Sequence, residues 1–228
     1  MSFSYSPKIL TDGLVLYLDA ANTRSYSSTS TVWSDLSKSG NTGTLVNGPT
    51  FSSANGGSIV FDGIDDYVLI PNNIVFRTSP FTIDIWFKLN GNQTLNAGLI
   101  NVDADAAIGN WQLSFFNNTQ LRFFYKGVGA DVDGLNLTTN FSSNIWYNVV
   151  ITRTSNYDII SYVNALENAS VNFNLDYNYV QGLRIGRNRG GTVYFKGNVA
   201  SCKIYNNKSL SSSEILQNYN VNKTRFGL

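Results

Sequence analysis

Short segments in which apolar and polar residues alternate with a period of two recur along this 228-residue chain. That period is typical of β-strands with one buried face, and β-branched and aromatic residues bounded by Gly, Asn, Asp and Ser support the same interpretation. The clearest segment is Phe81–Leu89, whose odd-numbered residues are all apolar. The pattern predicts these strands: Leu14–Leu18, Ser58–Phe61, Tyr67–Ile70, Phe81–Leu89, Trp111–Phe116, Leu121–Tyr125, Trp146–Arg153, Asp158–Val163, Leu183–Ile185 and Gly197–Tyr205.

One helix is predicted, close to the C-terminus. Ser211 and Glu214 have the spacing of a capping box, in which the two side chains satisfy free backbone N–H groups at a helix start. Ile215, Leu216 and Tyr219 then form a short apolar stripe, which we expect to pack against the edge of the fold. Many short strands and almost no helix predict an all-β chain built from two antiparallel sheets packed face to face.

The composition argues against most hydrolytic chemistry. The chain has no His and a single Cys, Cys202, which excludes His-dependent nucleophiles and the usual zinc ligand sets. Glycosidases generally need two carboxyl groups on either side of the scissile bond, but Glu167 and Glu214 lie in unrelated contexts. The closely spaced aspartates are predicted to lie in surface loops: Asp103 with Asp105, and Asp131 with Asp133. The sequence therefore favours a protein that is not an enzyme.

Charge and hydropathy argue against nucleic-acid and membrane partners. The net charge is +1, and no run of basic residues suits a phosphate backbone. No stretch approaches the roughly 18 consecutive apolar residues of a membrane span, and residues 1–8 lack the pattern of a secretory signal peptide. We therefore expect a soluble chain without its own export signal.

A series of motifs follows one another in order between residues 12 and 222. They are Gly13-Leu-Val-Leu-Tyr-Leu-Asp-Ala20, Trp33-Ser-Asp-Leu-Ser37, residues 40–51, residues 59–71, the strand around Trp86, Trp146-Tyr-Asn-Val-Val-Ile-Thr-Arg153, Leu183-Arg-Ile-Gly186 and residues 204–215. Together they resemble the laminin G-like domains of the concanavalin A-like lectin/glucanase superfamily. The resemblance implies a jelly-roll sandwich over residues 12–222, flanked by an arm at 1–11 and a tail at 223–228. It also implies a non-catalytic module that binds glycans or proteins.

The closing segment suggests a narrower resemblance. Where many bacterial extracellular members have an acidic pair, this chain has Ala200 and Ser201, followed by residues 202–205 and the tail 216–228. This form is similar to single-domain versions among structural proteins of tailed bacteriophages. It implies a virion structural or accessory protein of the capsid or tail, assembled in the host cytoplasm. Its partners would be other virion proteins and copies of itself, with host-surface glycans as ligands. The alternative is a free carbohydrate-binding lectin module that depends on calcium.

Three carboxylates lie within five positions at Asp62, Asp65 and Asp66. Calcium prefers six to eight oxygen ligands of this kind, and the resemblance implies calcium sites at loop ends in some members. The alternative is a tight turn in which Asp62 and Asp65 accept backbone N–H bonds. We favour the turn, expect no required cofactor, and keep calcium as a hypothesis.

The aromatic residues divide into core and ligand candidates. Trp86 and Trp146 are expected in the core, because large aromatic side chains usually fill it. Rings exposed beside amide groups can stack on sugars, and the candidates for such contacts are Trp111, Tyr157, Tyr177 and Tyr179. Three further residues form either a cationic strip or an ordinary exposed strand and turn: Arg184, Arg187 and Arg189.

Overall fold

The structure is a computed structural model that describes residues 8–71, 74–102, 109–126, 131–174, 176–177 and 181–228. In these ranges sixteen strands are present: β1 Leu14–Asp19, β2 Val32–Trp33, β3 Gly43–Val46, β4 Thr50–Ser52, β5 Ser58–Asp62, β6 Tyr67–Ile70, β7 Phe81–Leu89, β8 Gly98–Val102, β9 Trp111–Phe115, β10 Leu121–Lys126, β11 Asp131–Asn136, β12 Trp146–Arg153, β13 Asp158–Val163, β14 Leu166–Asn172, β15 Leu183–Ile185 and β16 Lys196–Asn206. One α-helix, α1, spans Ser212–Asn222, and short 3-10 helices span Ala54–Gly56 and Lys223–Phe226.

The strands form two antiparallel eight-stranded sheets. Sheet A has the order β14-β13-β12-β7-β16-β5-β4, with β1 also paired to β16. Sheet B has the order β11-β10-β9-β8-β15-β6-β3-β2. The prediction of two antiparallel sheets with one short C-terminal helix is confirmed.

All ten predicted strands are present, and six further strands were missed: β2, β3, β4, β8, β11 and β14. One expectation about loops is wrong, because residues 131–136 form β11 and pair with β10. Pairing to β10, which is rich in aromatic residues, outweighs the low β-propensity of Asp and Gly in this segment. Asp103 and Asp105 lie outside the described residues.

The main core lies between the two sheets. The odd-numbered residues of β7 all face it, and each is at most 1% exposed. Aromatic side chains from both sheets meet there; for example, Phe87 of sheet A contacts Phe115 of sheet B with ring centroids 6.1 Å apart. The predicted inner face of β7 is therefore correct.

The outer face of sheet A is covered as well. Thr82, Asp84 and Trp86, on the other side of β7, are at most 2% exposed. The reason is that α1 lies across this face, with Ile215 packed in a cluster with Tyr205 and neighbouring apolar residues. The helix therefore packs on the face of the sheet, and the expectation that it packs at the edge is wrong. The predicted capping box is present. No helix of the described ranges is long and apolar enough to span a bilayer.

The residues after α1 complete this outer layer. Phe226 lies in the 3-10 helix, and its ring centroid is 4.4 Å from that of Trp86 and 4.6 Å from that of Trp146. Arg225 forms an ion pair with Asp19 at 2.9 Å. Trp86 and Trp146 are buried as expected, but in this second cluster and not between the sheets.

The two sheets are joined along one edge of the sandwich. Asn168, in the edge strand β14, accepts a hydrogen bond from the backbone N–H of Thr138 at 2.8 Å. Its amide also donates to the hydroxyls of Thr138 and Thr139. Because Thr138 follows β11, these bonds connect the edge of sheet A to the edge of sheet B.

Candidate functional site

The outer face of sheet B is not covered by α1, and a row of polar side chains crosses it. Strand pairing places Arg184 opposite Asn101, Asn101 opposite Gln112, and Gln112 opposite Phe124. Their sequence neighbours, such as Leu113 and Leu183, point into the core, so the row lies on the outer side of the sheet. Asn101 and Gln112 are nevertheless at most 4% exposed. Strand pairing therefore brings four distant parts of the chain into one line.

Four arginines and two aromatic rings frame this row, and we call them the arginine face: Arg122, Arg184, Arg187, Arg189, Tyr67 and Phe124. The guanidinium carbons of Arg184 and Arg187 lie 5.8 and 4.6 Å from the ring centroid of Tyr67. Those of Arg122 and Arg189 lie 5.2 and 4.3 Å from the ring centroid of Phe124. Contacts at these distances are cation–π interactions, which fix the guanidinium groups in place.

A hairpin turn after β15 positions two of the arginines. Asn188 accepts hydrogen bonds from the backbone N–H groups of Thr192 and Val193 at 2.9 and 3.1 Å, which closes the turn. Gly98 allows the backbone of Arg187 to lie directly on β8, because a Cβ atom at this position would collide with the Arg187 carbonyl. The turn thus places Arg187 and Arg189 over the sheet.

Amide and hydroxyl groups form the floor beneath the arginines. The guanidinium of Arg189 donates to the side chain of Asn110, and the backbone N–H of Arg189 donates to the side chain of Gln112. Gln112 in turn donates to the Ser114 hydroxyl at 3.0 Å. Asn101 donates to the Arg187 carbonyl, and within the described ranges its fully buried carbonyl oxygen accepts no hydrogen bond. Asn101, Asn110 and Gln112 are at most 4% exposed, so these amides support the arginines from below.

The sequence named three of these arginines, but two of its glycan candidates are placed differently. Trp111 and Tyr177 are each 1% exposed, so the expectation that they present rings to a ligand is wrong. Trp111 stacks on Phe76 with centroids 5.5 Å apart, and Tyr177 contacts Phe81 at 5.3 Å. Both rings fill one end of the core, because aromatic side chains gain more from packing than from exposure.

Tyr157 is half-buried in the turn between β12 and β13, and its φ of 68° is unusual for a bulky residue. Its ring centroid lies 4.8 Å from the guanidinium carbon of Arg153, a residue that also lies 5.4 Å from Tyr177. The structure therefore brings Tyr157 and Tyr177 to the same arginine, away from the arginine face. Tyr179 lies outside the described residues.

The three aspartates of the calcium hypothesis do lie together, with carboxylate oxygens within 4.8 Å of one another. Asp62 accepts the backbone N–H of Ile64 at 2.7 Å, and Asp66 accepts that of Asp62 at 3.0 Å. The tight turn favoured from the sequence is present, but its acceptors are Asp62 and Asp66, and Asp65 donates its backbone N–H to Asp62. Ile64 is 73% exposed at its tip, so the cluster sits on a protruding turn.

Asp66 predicts a measurable pH dependence. Burial, together with the nearby carboxylates of Asp62 and Asp65 and partly offset by the bond from the Asp62 N–H, raises the pKa of Asp66 from 3.8 to about 6. The folded state therefore binds more protons than the unfolded state between about pH 4 and 6, and stability falls as the pH rises through this range. The full shift corresponds to about 3 kcal/mol, and we expect about 1–2 kcal/mol because solvent screens the two exposed neighbours. Urea unfolding of the wild type and of Asp66→Asn at pH 4 and 7 measures this pH dependence. If the two proteins differ in free energy of unfolding by the same amount at both pH values, the assignment is wrong.

The same variant tests calcium. A bound cation would stabilise ionised Asp66, so calcium at millimolar concentration would raise the melting temperature of the wild type but not of Asp66→Asn. Equal melting curves with and without calcium would remove the calcium hypothesis.

A groove lies beside β1, away from the arginine face. One part has a volume of 440 Å³, and Tyr17, Arg24 and Asp35 are among its lining residues. Both oxygens of Asp35 are already used, because they accept hydrogen bonds from Tyr17 N, Ser37 N, Ser37 Oγ and Asn41 N. This carboxylate fixes the groove wall, so it has little capacity left for a ligand.

Both glutamates hold structural positions in the fold. Glu167 is exposed on edge strand β14. Glu214 is held in the capping box and lies 2.9 Å from Lys208. Partial burial opposes ionisation of Glu214, but hydrogen bonds from Lys208 and Ser211 outweigh it and lower its pKa, the opposite of what a general acid needs.

Comparison with known proteins identifies the class. A family model of laminin G-like domains, described as the concanavalin A-like lectin/glucanases superfamily, matches residues 61–216. The chain belongs to this family, as its motifs had indicated. No curated protein sequence matches the chain significantly.

Solved structures share the fold. Domain 4 of AbnA, an extracellular GH43 arabinanase from Geobacillus stearothermophilus solved with arabinotriose, has a TM-score of 0.72 and 17% identity, and the match covers 90% of this chain and 98% of that one. The binding domain of botulinum neurotoxin DC in complex with SialylT has a TM-score of 0.70 and 14% identity, covering 92% and 52%. Trypanosoma rangeli sialidase in complex with the inhibitor DANA has a TM-score of 0.65 and 18% identity, covering 95% and 35%. This chain thus spans about half of the neurotoxin domain and a third of the sialidase, and at these identities the likeness concerns the fold alone.

Proposed function

We propose that this protein is a non-catalytic carbohydrate-binding module that contacts glycans through the arginine face. The observation that carries the proposal is the arginine face itself, in which partly exposed arginines lie over the buried amides of Asn101 and Gln112 on the outer side of sheet B. Hydrogen-bonding side chains of this type fix the hydroxyl groups of sugars. Support comes from the family and from the arabinanase domain, which was solved with an oligosaccharide and matches this chain over nearly its whole length.

The absence of catalysis is part of the proposal. The sequence holds no His, and both glutamates serve other positions in the fold. The three clustered aspartates sit on a protruding turn and not in a cleft that would enclose a scissile bond. We therefore expect no release of reducing ends when the pure protein is incubated with polysaccharides.

A glycan array probed with the full chain tests the proposed function. We expect selective binding that Arg189→Gln weakens about tenfold or more, because the variant removes a guanidinium group that donates to Asn110 and lies over Phe124. Lys8→Gln is the matched control, since it removes the same charge from an exposed residue beside α1. If the protein binds no glycan on the array, the proposal is wrong. If Arg189→Gln binds as tightly as the wild type, the site lies elsewhere.

We further propose that the module belongs to a virion, attached to the capsid or tail of a bacteriophage with other virion proteins and copies of itself. This rests on the resemblance of residues 200–205 and of the segment 216–228 to phage structural proteins. Mass spectrometry of purified virions tests it. Failure to find the protein in the particles would remove this assignment without affecting glycan binding.

A further inference from the structure

We infer that a pocket beside the loop between β1 and β2 is a second glycan site, which binds one neutral hexose unit. The pocket has a volume of 340 Å³, at the lower end of the range of about 300–1,000 Å³ typical of small-ligand sites. It shares no residue with the arginine face. We call it the hydroxyl pocket, and its walls include Ala21, Thr23, Ser27, Ser28, Phe51 and Gly56.

Small residues keep the hydroxyl pocket open. Ala21 is exposed on one wall, and Gly56, in the 3-10 helix on the facing wall, has no side chain. A Cβ atom at Gly56 would lie 3.6 Å from the Cβ atom of Ala21, which is van der Waals contact. A larger side chain at position 21 would therefore fill the space between the two walls.

Hydrogen bonds fix both walls before any ligand binds. In the loop, the Asn22 carbonyl accepts the backbone N–H groups of Ser25 and Tyr26 at 2.8 and 2.9 Å. On the facing wall, the guanidinium of Arg225 donates to the carbonyls of the residues on either side of Gly56. Because the pocket is already formed, binding costs little conformational entropy.

An aromatic ring forms part of the wall. Phe51, in β4, is half-buried, so part of its ring is open to solvent. The ring of Tyr26, a residue of the main core, supports it with centroids 5.4 Å apart. Within the part of the chain that the structure describes, no cationic group lies over Phe51, in contrast to Tyr67 and Phe124 of the arginine face. The apolar C–H groups of a sugar ring can therefore pack on Phe51.

Three hydroxyl groups line the same pocket, those of Thr23, Ser27 and Ser28. All three residues are exposed, and within the described ranges their hydroxyls form no hydrogen bond. Each hydroxyl can both donate and accept, as can each hydroxyl of a sugar. An apolar ligand would cover these groups without offering them a partner, which costs free energy. The lining therefore suits a ligand with apolar C–H groups and several hydroxyls.

The charge around the pocket favours a neutral sugar. None of the eight lining residues is charged. Arg225 lies beside Gly56, but it forms an ion pair with Asp19 at 2.9 Å as well as its two bonds to carbonyls. A carboxylate brought into the pocket would lose hydration without gaining a free counter-charge. We therefore expect a hexose to bind more tightly than its uronic acid.

NMR titration of the ¹⁵N-labelled full chain tests the inference. The ligands are the methyl glycosides of glucose, galactose and mannose, each compared with the methyl glycoside of its uronic acid. We expect at least one hexoside to bind with a dissociation constant in the millimolar range, because one sugar unit makes few contacts. Its uronic acid, which differs only by the carboxylate, should bind about tenfold more weakly.

Variants then locate the binding site. Ala21→Leu should weaken binding of the hexoside at least about tenfold by filling the pocket, and Ser27→Ala/Ser28→Ala should weaken it about threefold to tenfold. Ala54→Leu is the matched control, since Ala54 is an exposed alanine that does not line the pocket. Ala54→Leu and Arg189→Gln should both bind the hexoside like the wild type.

The inference is wrong if the wild type binds none of the three hexosides, or if Ala21→Leu binds as tightly as the wild type. Loss of binding in Arg189→Gln but not in Ala21→Leu would assign the hexoside to the arginine face, which overturns the second site and supports the proposed function. Equal affinity for a hexoside and its uronic acid would overturn the selectivity for neutral sugars.

The two glycan sites can fail separately. If no hexoside binds but the glycan array is positive and sensitive to Arg189→Gln, only the hydroxyl pocket is refuted. If neither experiment detects a glycan, both proposals are wrong. Melting curves show whether each variant is folded, and Ser27→Ala/Ser28→Ala decides the matter if Ala21→Leu unfolds, because both serines are exposed.

Discussion

Replacing Asp84 with Asn is expected to lower the free energy of unfolding by about 3–5 kcal/mol. Asp84 and Lys203 form an ion pair at 3.2 Å beneath α1, with side chains 2% and 0% exposed. Asn148 donates a further hydrogen bond to Asp84 at 2.7 Å. A neutral amide at position 84 leaves the buried ammonium of Lys203 without a compensating charge. Urea unfolding followed by tryptophan fluorescence measures the loss.

The double variant Asp84→Asn/Lys203→Met is the control for this interpretation. Removing both charges also removes the uncompensated one, so the double variant should recover most of the stability lost in Asp84→Asn. A double variant no more stable than Asp84→Asn, or a loss below about 1 kcal/mol in the single variant, would contradict the role assigned to the pair.

This result bears on any search for catalysis. Asp84 is the carboxylate of the central strand β7, and its substitution is an obvious test for glycosidase activity. Because Asp84 lies under the helix and supports the fold, loss of an activity on its substitution would report unfolding and not chemistry. Activity assays of such variants therefore need melting curves beside them.

Replacing Phe226 with Ala is expected to cost about 3 kcal/mol and to shift tryptophan emission to longer wavelengths. Phe226 is 8% exposed and covers both Trp86 and Trp146. Truncating its ring removes this cover and admits water to the two indoles. Unfolding curves and emission spectra under native conditions measure the two effects.

Leu216→Ala is the matched control for Phe226→Ala. Leu216 lies on α1 but is 47% exposed, so its truncation should change stability by no more than about 0.5 kcal/mol and leave the emission unchanged. If Phe226→Ala behaves in the same way, the 3-10 helix is not part of the stable outer layer.

The strands that sequence reasoning found and missed differ in position. Four of the six missed strands, β2, β4, β11 and β14, are the outermost strands of their sheets. An edge strand has one partner and a half-exposed surface, so its sequence needs less regular alternation; β14, for example, reads Leu-Glu-Asn-Ala-Ser-Val-Asn. β8 was missed for the opposite reason, since all five of its residues are buried and its apolar residues do not alternate.

In the site, too, residues that are close in sequence could be predicted together, whereas residues joined by strand pairing could not. Arg184, Arg187 and Arg189 are close in sequence and were singled out as either a cationic strip or an exposed strand and turn. Arg122 and Phe124 reach them only through the pairing of β10, β9, β8 and β15. Trp111 could have been placed correctly, because it shares its parity with Leu113 and Phe115, and the residues between them are polar. The burial of even-numbered residues in β7 depends on α1, more than 120 positions away, and no local pattern reveals it.

Leu10 bonds to Asn218 and Tyr205, and Phe226 packs on Trp86, so the first and last described segments both lie behind sheet A. The arginine face is on the opposite side of the sandwich. A protein joined at either end would therefore lie on the sheet A side of the module, and the arginine face would point away from it. Many copies anchored in this orientation could engage one polymer together, which would turn weak single contacts into firm attachment.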